Sequence, residues 1–378
     1  MKEQRFIELA AHFMSLPTVA FHEHFVIASV KAFANAHKGI SFSQDCFGNL
    51  LLFYDGRPRR SRKNDTLIAT AHLDHPGLGF PQRISKRNFH FEKLGGIDVD
   101  QALGTSVRIY SPHAPTDQQP LKGKIRSYIP AAGTAPPKFE VRVAPKAGNA
   151  VAADSFAVWD LLSFKKKGRL LHGRACDDLA GVAVGLAYLD EIAEHHLPIR
   201  AGLLLTRAEE IGFGGMLAAA GADLLDAKAL YINIECSSSK AGAQLGNGPV
   251  IRVGDRWCIF DPTVTGGLVA VADQLAAANP GFRFQRKLMD GGICEATVLA
   301  NAGLHTGAVA LPLDNYHNKG KKRLKPEAVH LDDALCLVDL LVHLASAAGG
   351  LDKARGQAQK HLEKRLSAQR RQVESRLK

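Results

Sequence analysis

The chain has 378 residues, of which 46% are hydrophobic, and it carries 48 Lys and Arg against 37 Asp and Glu. This length supports one large domain with a sizeable core, or two domains. No run of about 18 apolar residues occurs and residues 1–5 are polar, so we expect neither a membrane-spanning helix nor a signal peptide.

Short apolar runs alternate along the chain with amphipathic or apolar helical patterns. Runs at 66–71, 201–206, 229–234 and 305–311 predict buried strands. The patterns at 178–192, 263–278 and 332–347 predict helices. Strands that alternate with helices indicate an α/β sheet with helices on both faces.

The segment from about residue 80 to residue 171 interrupts this alternation. Its sequence has short strand patterns separated by Gly and Pro turns, and no convincing long helix. We interpret it as a small β domain inserted into the α/β domain.

The last 29 residues form a basic tail with nine Lys and Arg against three Asp and Glu. Leu362, Leu366, Val373 and Leu377 fall near one face of a helix. A solvated helix or frayed tail explains this pattern, and so does a helix that docks on a nucleic acid or another acidic partner.

Acidic residues and histidines follow the predicted strands or open a predicted helix. They are His72 and Asp74 after the first strand, Asp177 and Asp178 at the helix start, Glu209 and Glu210 after the second strand, Glu235 after the third and His317 after the fourth. Open α/β sheets build their sites at such strand ends. Singly, each also fits a structural His–Asp pair, a helix cap or an exposed loop. Together, the nitrogen and oxygen donors suit two zinc ions, with cobalt or manganese as substitutes.

Six sequence motifs occur in a recognisable order from near residue 1 to about residue 347. They are AHLD (71–74), EKLGGID (92–98), DDLAG (177–181), EEIGFGG (209–215), GNGPVIR (246–252) and YHNKG (316–320), with Glu327 nearby. In their order and in their residues they resemble the motifs of the tetrahedral aminopeptidase family, also called cellulase M or deblocking aminopeptidases. Members of this family are dinuclear metal enzymes. EKLGGID lies in the predicted insert and not in the predicted metal site, so the likeness extends beyond the ligands.

The resemblance implies a role for each candidate residue. His72 is expected to bind one metal ion with Asp74 orienting it, and Asp177 to bridge both ions. Glu210, Glu235 and His317 are expected to be metal ligands. Glu209 is expected to be the general base.

The resemblance also implies an architecture. We expect a mixed sheet flanked by helices, of the zinc-peptidase phosphorylase/hydrolase-like type, with an inserted small β-barrel-like domain. The catalytic domain would comprise 1–79 and 172–348, the insert 80–171 would shape substrate access and assembly, and 349–378 would be a helical or disordered tail. The family implies a homo-oligomer, from dimer to hollow dodecamer.

Three segments depart from the family pattern. Position 235 is Glu where the family usually has Asp, and in related dinuclear peptidases that exchange accompanies a different substrate class. His75 and Pro76 replace a Glu-Ile-like pair, and we expect His75 to be an exposed loop residue. GGICE at 291–295 stands in place of GGTD, with Cys294 as a wall residue.

The sequence therefore predicts a cytoplasmic metallo-aminopeptidase that acts on short peptides. In this hypothesis a hydroxide bridging two metal ions attacks the scissile carbonyl, and Glu209 takes and returns the proton. Six widely spaced cysteines without a CxxC pair agree with reduced thiols in the cytoplasm. One alternative is a metal-dependent carboxypeptidase or N-acyl deacylase, suggested by Glu235 and by the basic run KGKKRLK at 319–325. The other is an inactive binding protein that acts through the basic tail.

Overall fold

The structure is a computed structural model that describes residues 2–56, 66–112, 119–222, 224–347 and 351–377. The helices of these residues are α1 (Glu3–Ser15), α2 (His24–Ala36), α3 (Val99–Ala102), α4 (Cys176–Glu194), α5 (Gly214–Gly221), α6 (Pro262–Ala278), α7 (Glu295–Asn301), α8 (Leu331–Ala347) and α9 (Leu351–Leu377). None of these described helices is both long enough and apolar enough to cross a membrane.

An eight-stranded mixed sheet forms the centre of the molecule. Its strands, in chain order, are β1 (Ile40–Gln44), β2 (Leu50–Asp55), β3 (Thr66–His72), β12 (Arg200–Thr206), β13 (Leu230–Ser238), β14 (Val250–Gly254), β15 (Gln285–Leu288) and β16 (Thr306–Leu313). Across the sheet the order is β1-β2-β12-β3-β13-β16-β14-β15. The four central strands β12, β3, β13 and β16 are parallel, so their carboxyl ends lie at one edge.

Helix α4 lies in the middle of the core. It contacts β3, β12 and β13 as well as α1 and α8, and nearly all of its residues are buried. A helix that is apolar on all sides can be stable only when it is covered on all sides. The predicted mixed sheet flanked by helices is thus confirmed.

The strands of the insert close into a barrel. They are β4 (Gly77–Arg83), β5 (Asn88–Leu94), β6 (Ser106–Tyr110), β7 (Leu121–Ile129), β8 (Lys138–Val143) and β9 (Phe156–Trp159), in the order β4-β5-β8-β7-β6-β9. Alternate inward side chains such as Phe89, Phe91 and Val141 fill a core separate from that of the large sheet. The predicted barrel-like insert is confirmed.

Two strands that begin within the predicted range 80–171 do not join this barrel. Strands β10 (Phe164–Lys167) and β11 (Leu170–Gly173) form a three-stranded sheet with β17 (Glu327–His330). Their hydrogen bonds therefore tie them to the chain that comes after β16. We propose that the insert ends near Trp159, and that β10 and β11 belong with the catalytic domain.

Helix α9, in the predicted tail, packs along α6. His361 and Arg365 lie 2.8 and 2.7 Å from the Asp273 carboxylate of α6. Leu362 and Leu366 remain more than half exposed. The tail is thus a helix docked on α6 through a polar contact, with part of its apolar face in water.

Candidate metal centre

The carboxyl ends of the four parallel strands bring the predicted site residues together. His72 is the last residue of β3, and Thr206, three residues before Glu209, is its partner in β12. Glu235 lies within β13 and not after it, because that strand continues to Ser238. His317 lies beyond the end of β16, and Asp177 lies at the start of α4.

His72 forms one half of the site and is 1% exposed. Its Nε2 lies 3.3 Å from Asp177 Oδ1 and 3.6 Å from Glu235 Oε1. Its Nδ1 lies 3.2 Å from the Asp74 carbonyl oxygen and 3.5 Å from Asp74 Oδ1. A proton on Nδ1 would point at Asp74 and leave Nε2 as a ligand atom.

His317 forms the other half. Its Nε2 lies 3.3 Å from Glu210 Oε1 and 3.6 Å from Asp177 Oδ2. Each oxygen of Asp177 therefore faces a different histidine. The Asp177 carboxylate lies between the two halves, where a bridging ligand would lie.

The buried Glu327 fixes the chain at Asp177. Its Oε2 accepts hydrogen bonds from the backbone N–H groups of Cys176 and Asp177, at 2.8 and 3.0 Å. Later in the same motif, Gly181 leaves room for Asp178, since a Cβ at Gly181 would lie 2.1 Å from Asp178 Oδ1. The acidic residues of the DDLAG motif thus lie at the site, and its glycine is needed because Asp178 packs against it.

Asp74 lies beside His72 and also contacts the turn that follows β12. Its two carboxylate oxygens accept hydrogen bonds from the backbone N–H groups of Glu209 and Glu210, at 2.9 and 3.1 Å. The turn that holds these two glutamates begins at Ala208, which has a left-handed φ of 54°. A single buried carboxylate thus links the ends of β3 and β12.

Burial and neighbouring charges strongly shift the pKa values of the site residues. Burial, reinforced by Glu235 and Glu210, raises the pKa of Glu209 well above its usual range. Burial opposes the cationic form of His317, but Glu210 and Asp177 outweigh it and raise the pKa of His317 to about 9. Such shifts are typical of functional sites.

The donor atoms fit divalent metal ions. Three groups of donor atoms lie within 4.8 Å of one another, namely His72 with Asp177 and Glu235, Asp177 with Glu210 and His317, and His72 with Glu209 and Glu210. Asp177 Oδ1, Glu210 Oε1 and Glu235 Oε2 are buried and have no hydrogen-bond partner among the residues that the structure describes. Two tetrahedral ligands of one zinc ion lie about 3.3 Å apart, close to the distances found here. A cation would satisfy these atoms.

Two further departures from expectation concern packing around His317. His75 is buried and not exposed, because its Nε2 lies 3.0 Å from Asn318 Oδ1 and its Nδ1 contacts the Asp177 carbonyl oxygen. The GGID segment, expected away from the site, contacts it directly. A Cβ at Gly96 would lie 2.5 Å from His317 Nδ1.

Three polar residues near the site have no role predicted from the sequence. Arg252 and Tyr316 line a cleft of about 480 Å³ together with Glu209, Glu210 and Glu235. Arg252 belongs to the GNGPVIR motif and Tyr316 to YHNKG, so the motifs themselves are the available signal. Glu295 is fully buried and contacts Thr206 Oγ1 at 2.8 Å.

Comparison with known families agrees with this geometry. Residues 138–340 match the profile of the M42 glutamyl aminopeptidase family, which is more than half of the chain. The chain belongs to the M42 peptidase family. M42 aminopeptidases are metal-dependent, and this membership supports a hydrolase of the metallo-aminopeptidase type. The predicted family is confirmed.

Solved structures with the same fold include aminopeptidases from archaea. One from Desulfurococcus kamchatkensis is 21% identical, with a TM-score of 0.75 over 94% of this M42 peptidase and 98% of that chain. A TET aminopeptidase from the Thaumarchaeota archaeon SCGC AB-539-E09 is 18% identical, with a TM-score of 0.75 over 93% and 99%. The TET1 peptidase of Pyrococcus horikoshii is 21% identical, with a TM-score of 0.71 over 90% and 99%.

Proposed function

We propose that this M42 peptidase is a dinuclear metallo-aminopeptidase that releases N-terminal residues from short peptides. The observation that carries the proposal is the position of Asp177, whose two oxygens face His72 and His317 separately. Glu235 completes the ligand set on the His72 side, and Glu210 completes it on the His317 side. Two ions bound there, with zinc suited best and cobalt or manganese as substitutes, would supply Lewis acidity and an acidified water.

Glu209 is the general base in this proposal. Its carboxylate lies close to donor atoms of His72 and Glu210, and it lines the cleft. It does not belong to either of the two groups of donor atoms that contain Asp177. It would take the proton of the attacking water and return it to the leaving amine. A pKa raised by burial suits this role, because the group must hold a proton between the two steps.

We further propose that the cleft prefers an acidic N-terminal residue. Arg252 is 2% exposed and its Nη1 donates to Ser237 Oγ at 3.3 Å, whereas its Nε has no hydrogen-bond partner in the described part of the chain. Lys240 lines the same cleft. A substrate carboxylate would satisfy the buried guanidinium, and a glutamyl residue agrees with the description of the matched family.

A carboxypeptidase or N-acyl deacylase is the alternative. Glu235 favours it, because the longer arm departs from the family's usual Asp. Arg252 is compatible with it as well, because a guanidinium binds the α-carboxylate of a peptide as readily as a side-chain carboxylate.

The deciding experiment measures metal content and hydrolysis by the full chain loaded with zinc, cobalt or manganese. The substrates are aminoacyl anilides and one peptide offered with a free and with an acetylated amino terminus. We expect about two ions per chain, cleavage of the free-amine peptide, and faster release of Glu than of Leu or Lys. Cleavage of the acetylated peptide alone would replace the aminopeptidase by the deacylase.

The Glu209→Gln variant tests the base. It should retain its metal and lose roughly 1,000-fold in kcat, in the range of general-base catalysis. Glu363→Gln, an exposed change on α9, is the matched control. Near-normal rates in Glu209→Gln would show that another group moves the proton.

We also propose that the chain assembles into a homo-oligomer, between a dimer and a dodecamer. The support is its fold, shared with a TET1 peptidase that assembles into a tetrahedron or a large octahedral shell. Light scattering of the purified chain, with and without residues 349–378, would give the size and the contribution of the tail. A cytoplasmic location and an acidic or nucleic-acid partner for α9 stay predictions.

A further inference from the structure

Tyr316 lies in a rigid loop at the edge of the cleft. Asn315, with a φ of 54°, donates from Nδ2 to the Pro326 carbonyl oxygen at 3.0 Å. Asn318 donates from Nδ2 to the Arg174 carbonyl oxygen at 2.8 Å, and its carbonyl oxygen accepts the Lys325 N–H at 2.8 Å. The loop is therefore fixed on both sides of Tyr316.

The ring of Tyr316 stacks on the His317 imidazole. The ring centres are 3.8 Å apart and the planes differ by 22°. The ring lines the cleft that Asp177, Glu209, Glu210 and Glu235 also line. Tyr316 is thus positioned by the neighbouring His317, above the proposed reaction site.

The Tyr316 hydroxyl is available to a substrate. Within the described parts of the chain it has no hydrogen-bond partner, and the side chain is 39% exposed. A tyrosine hydroxyl carries its proton at neutral pH, so it is available as a donor. An exposed donor that has no acceptor within the described parts of the chain is open to an acceptor on a substrate.

We propose that the Tyr316 hydroxyl donates a hydrogen bond to the carbonyl oxygen of the scissile bond as that oxygen becomes an oxyanion. This role rests on the proposed aminopeptidase function. When the water oxygen bonds to the carbonyl carbon, the π pair moves to the carbonyl oxygen, and Glu209 receives the proton of the water. A fixed donor at this oxygen stabilises the transition state more than the ground state.

The test compares three variants of the metal-loaded full chain with the wild type. Tyr316→Phe removes only the hydroxyl, Tyr316→Ala also removes the stacked ring, and Tyr128→Phe removes a hydroxyl in the barrel as a matched control. The readouts are metal content, kcat and KM on an aminoacyl anilide, and calorimetric affinity for two ligands. These ligands are a phosphinic dipeptide, which mimics the tetrahedral intermediate, and the free amino-acid product.

In Tyr316→Phe, kcat and phosphinic-dipeptide affinity should both fall by about 10- to 100-fold, somewhat less than at an oxyanion hole without metal ions. KM, product affinity and metal content should stay within about twofold of the wild type, as should every readout of Tyr128→Phe, because neither change removes a ground-state contact. Tyr316→Ala should lose at least as much activity as Tyr316→Phe.

Unchanged kcat and unchanged phosphinic-dipeptide affinity in Tyr316→Phe would overturn this role. A rise in KM with weaker product binding would overturn it too, because the hydroxyl would then bind the ground state. Loss of metal from Tyr316→Phe would make the role structural. A wild-type protein that cleaves no aminoacyl substrate would refute the proposed function, and this inference with it. If the wild type is active, the variants test the role of Tyr316 alone.

Discussion

The two halves of the site are built in different ways. His72 ends a buried strand and is held by the pairing of β3 with β12. His317 lies in a loop with φ values of 52° and 60° at His317 and Asn318, held by side-chain hydrogen bonds and by contact with Gly96 of the insert. The first half depends on the sheet and the second on contacts between distant loops. We therefore expect damage to the first half to affect stability and damage to the second to affect mainly metal binding.

The largest effect should come from the residue that the halves share. Asp177→Asn keeps the side-chain volume but replaces one acceptor oxygen by an NH₂ donor. We expect loss of both metal ions and a drop in kcat/KM of roughly 1,000-fold or more, measured by metal analysis and anilide hydrolysis. Asp273→Asn, at the α9 contact, is the control. Retention of one full equivalent of metal would show that Asp177 does not bridge.

Replacing each histidine in turn compares the halves directly. His72→Ala and His317→Ala should each reduce activity by roughly 100-fold or more through loss of a ligand. At about pH 10, where His317 has lost the proton that pairs it with Glu210, only His72→Ala should also reduce the unfolding free energy of the metal-free protein strongly, by about 2–4 kcal/mol, because it leaves a cavity in a packed core. Denaturant unfolding in the presence of a chelator measures this difference. Equal destabilisation by both changes would contradict the distinction between sheet and loop.

The contact between the insert and His317 should have a smaller effect. Gly96→Ala places a methyl group where the imidazole lies, so His317 must shift. We expect about a 10- to 100-fold loss of metal affinity at that half, as for other groups that orient a ligand, with little change in stability. Metal titration measures it, and Gly221→Ala, where a Cβ meets nothing within 4 Å, is the control. Unchanged affinity in Gly96→Ala would mean that the insert does not position the site.

The same contrast explains which features the sequence could predict. His72, Glu209 and Glu210 lie at the ends of apolar runs, and the carboxyl ends of parallel strands meet at one edge of a sheet. The barrel is visible in the sequence as a change from helical to short-strand patterns. These are local signals, readable within a few residues of each position.

Contacts between distant segments leave no such signal. His75 precedes Pro76 and Gly77 and resembles a loop residue, yet its partners are Asp177 and Asn318, 102 and 243 residues away. Strands β10 and β11 look like barrel strands, but β11 pairs with β17, whose residues come much later in the chain. The position of such a residue or strand depends on the distant segment that it contacts. The pattern of residues around it in the sequence does not identify that segment.

Glu295, beside the His72 half, should give the smallest effect and the one that depends on pH. Burial raises the pKa of Glu295 to about 8 from an ordinary value of 4.5. The Thr206 hydroxyl donates to Glu295 Oε2 at 2.8 Å, which favours the ionised carboxylate and lowers the pKa, but burial outweighs this hydrogen bond. The folded state thus retains a proton that the unfolded state releases above pH 4.5. Stability from this group is therefore present below pH 4.5 and is lost as the pH rises to about 8.

Glu295→Gln cannot ionise, yet its amide oxygen can still accept the hydrogen bond from Thr206 Oγ1. In the metal-free protein, the difference in unfolding free energy between variant and wild type should shift in favour of the variant by roughly 1–3 kcal/mol as the pH rises from about 5 to about 8. Urea unfolding at both pH values measures the gain, and Glu363→Gln on the exposed face of α9 controls for loss of a surface charge. A difference between variant and wild type that is the same at both pH values would mean that Glu295 is already ionised in the folded protein at the lower pH. The buried carboxylate would then have to be stabilised by a protonated His72, and the His72 half would carry one more negative charge than proposed.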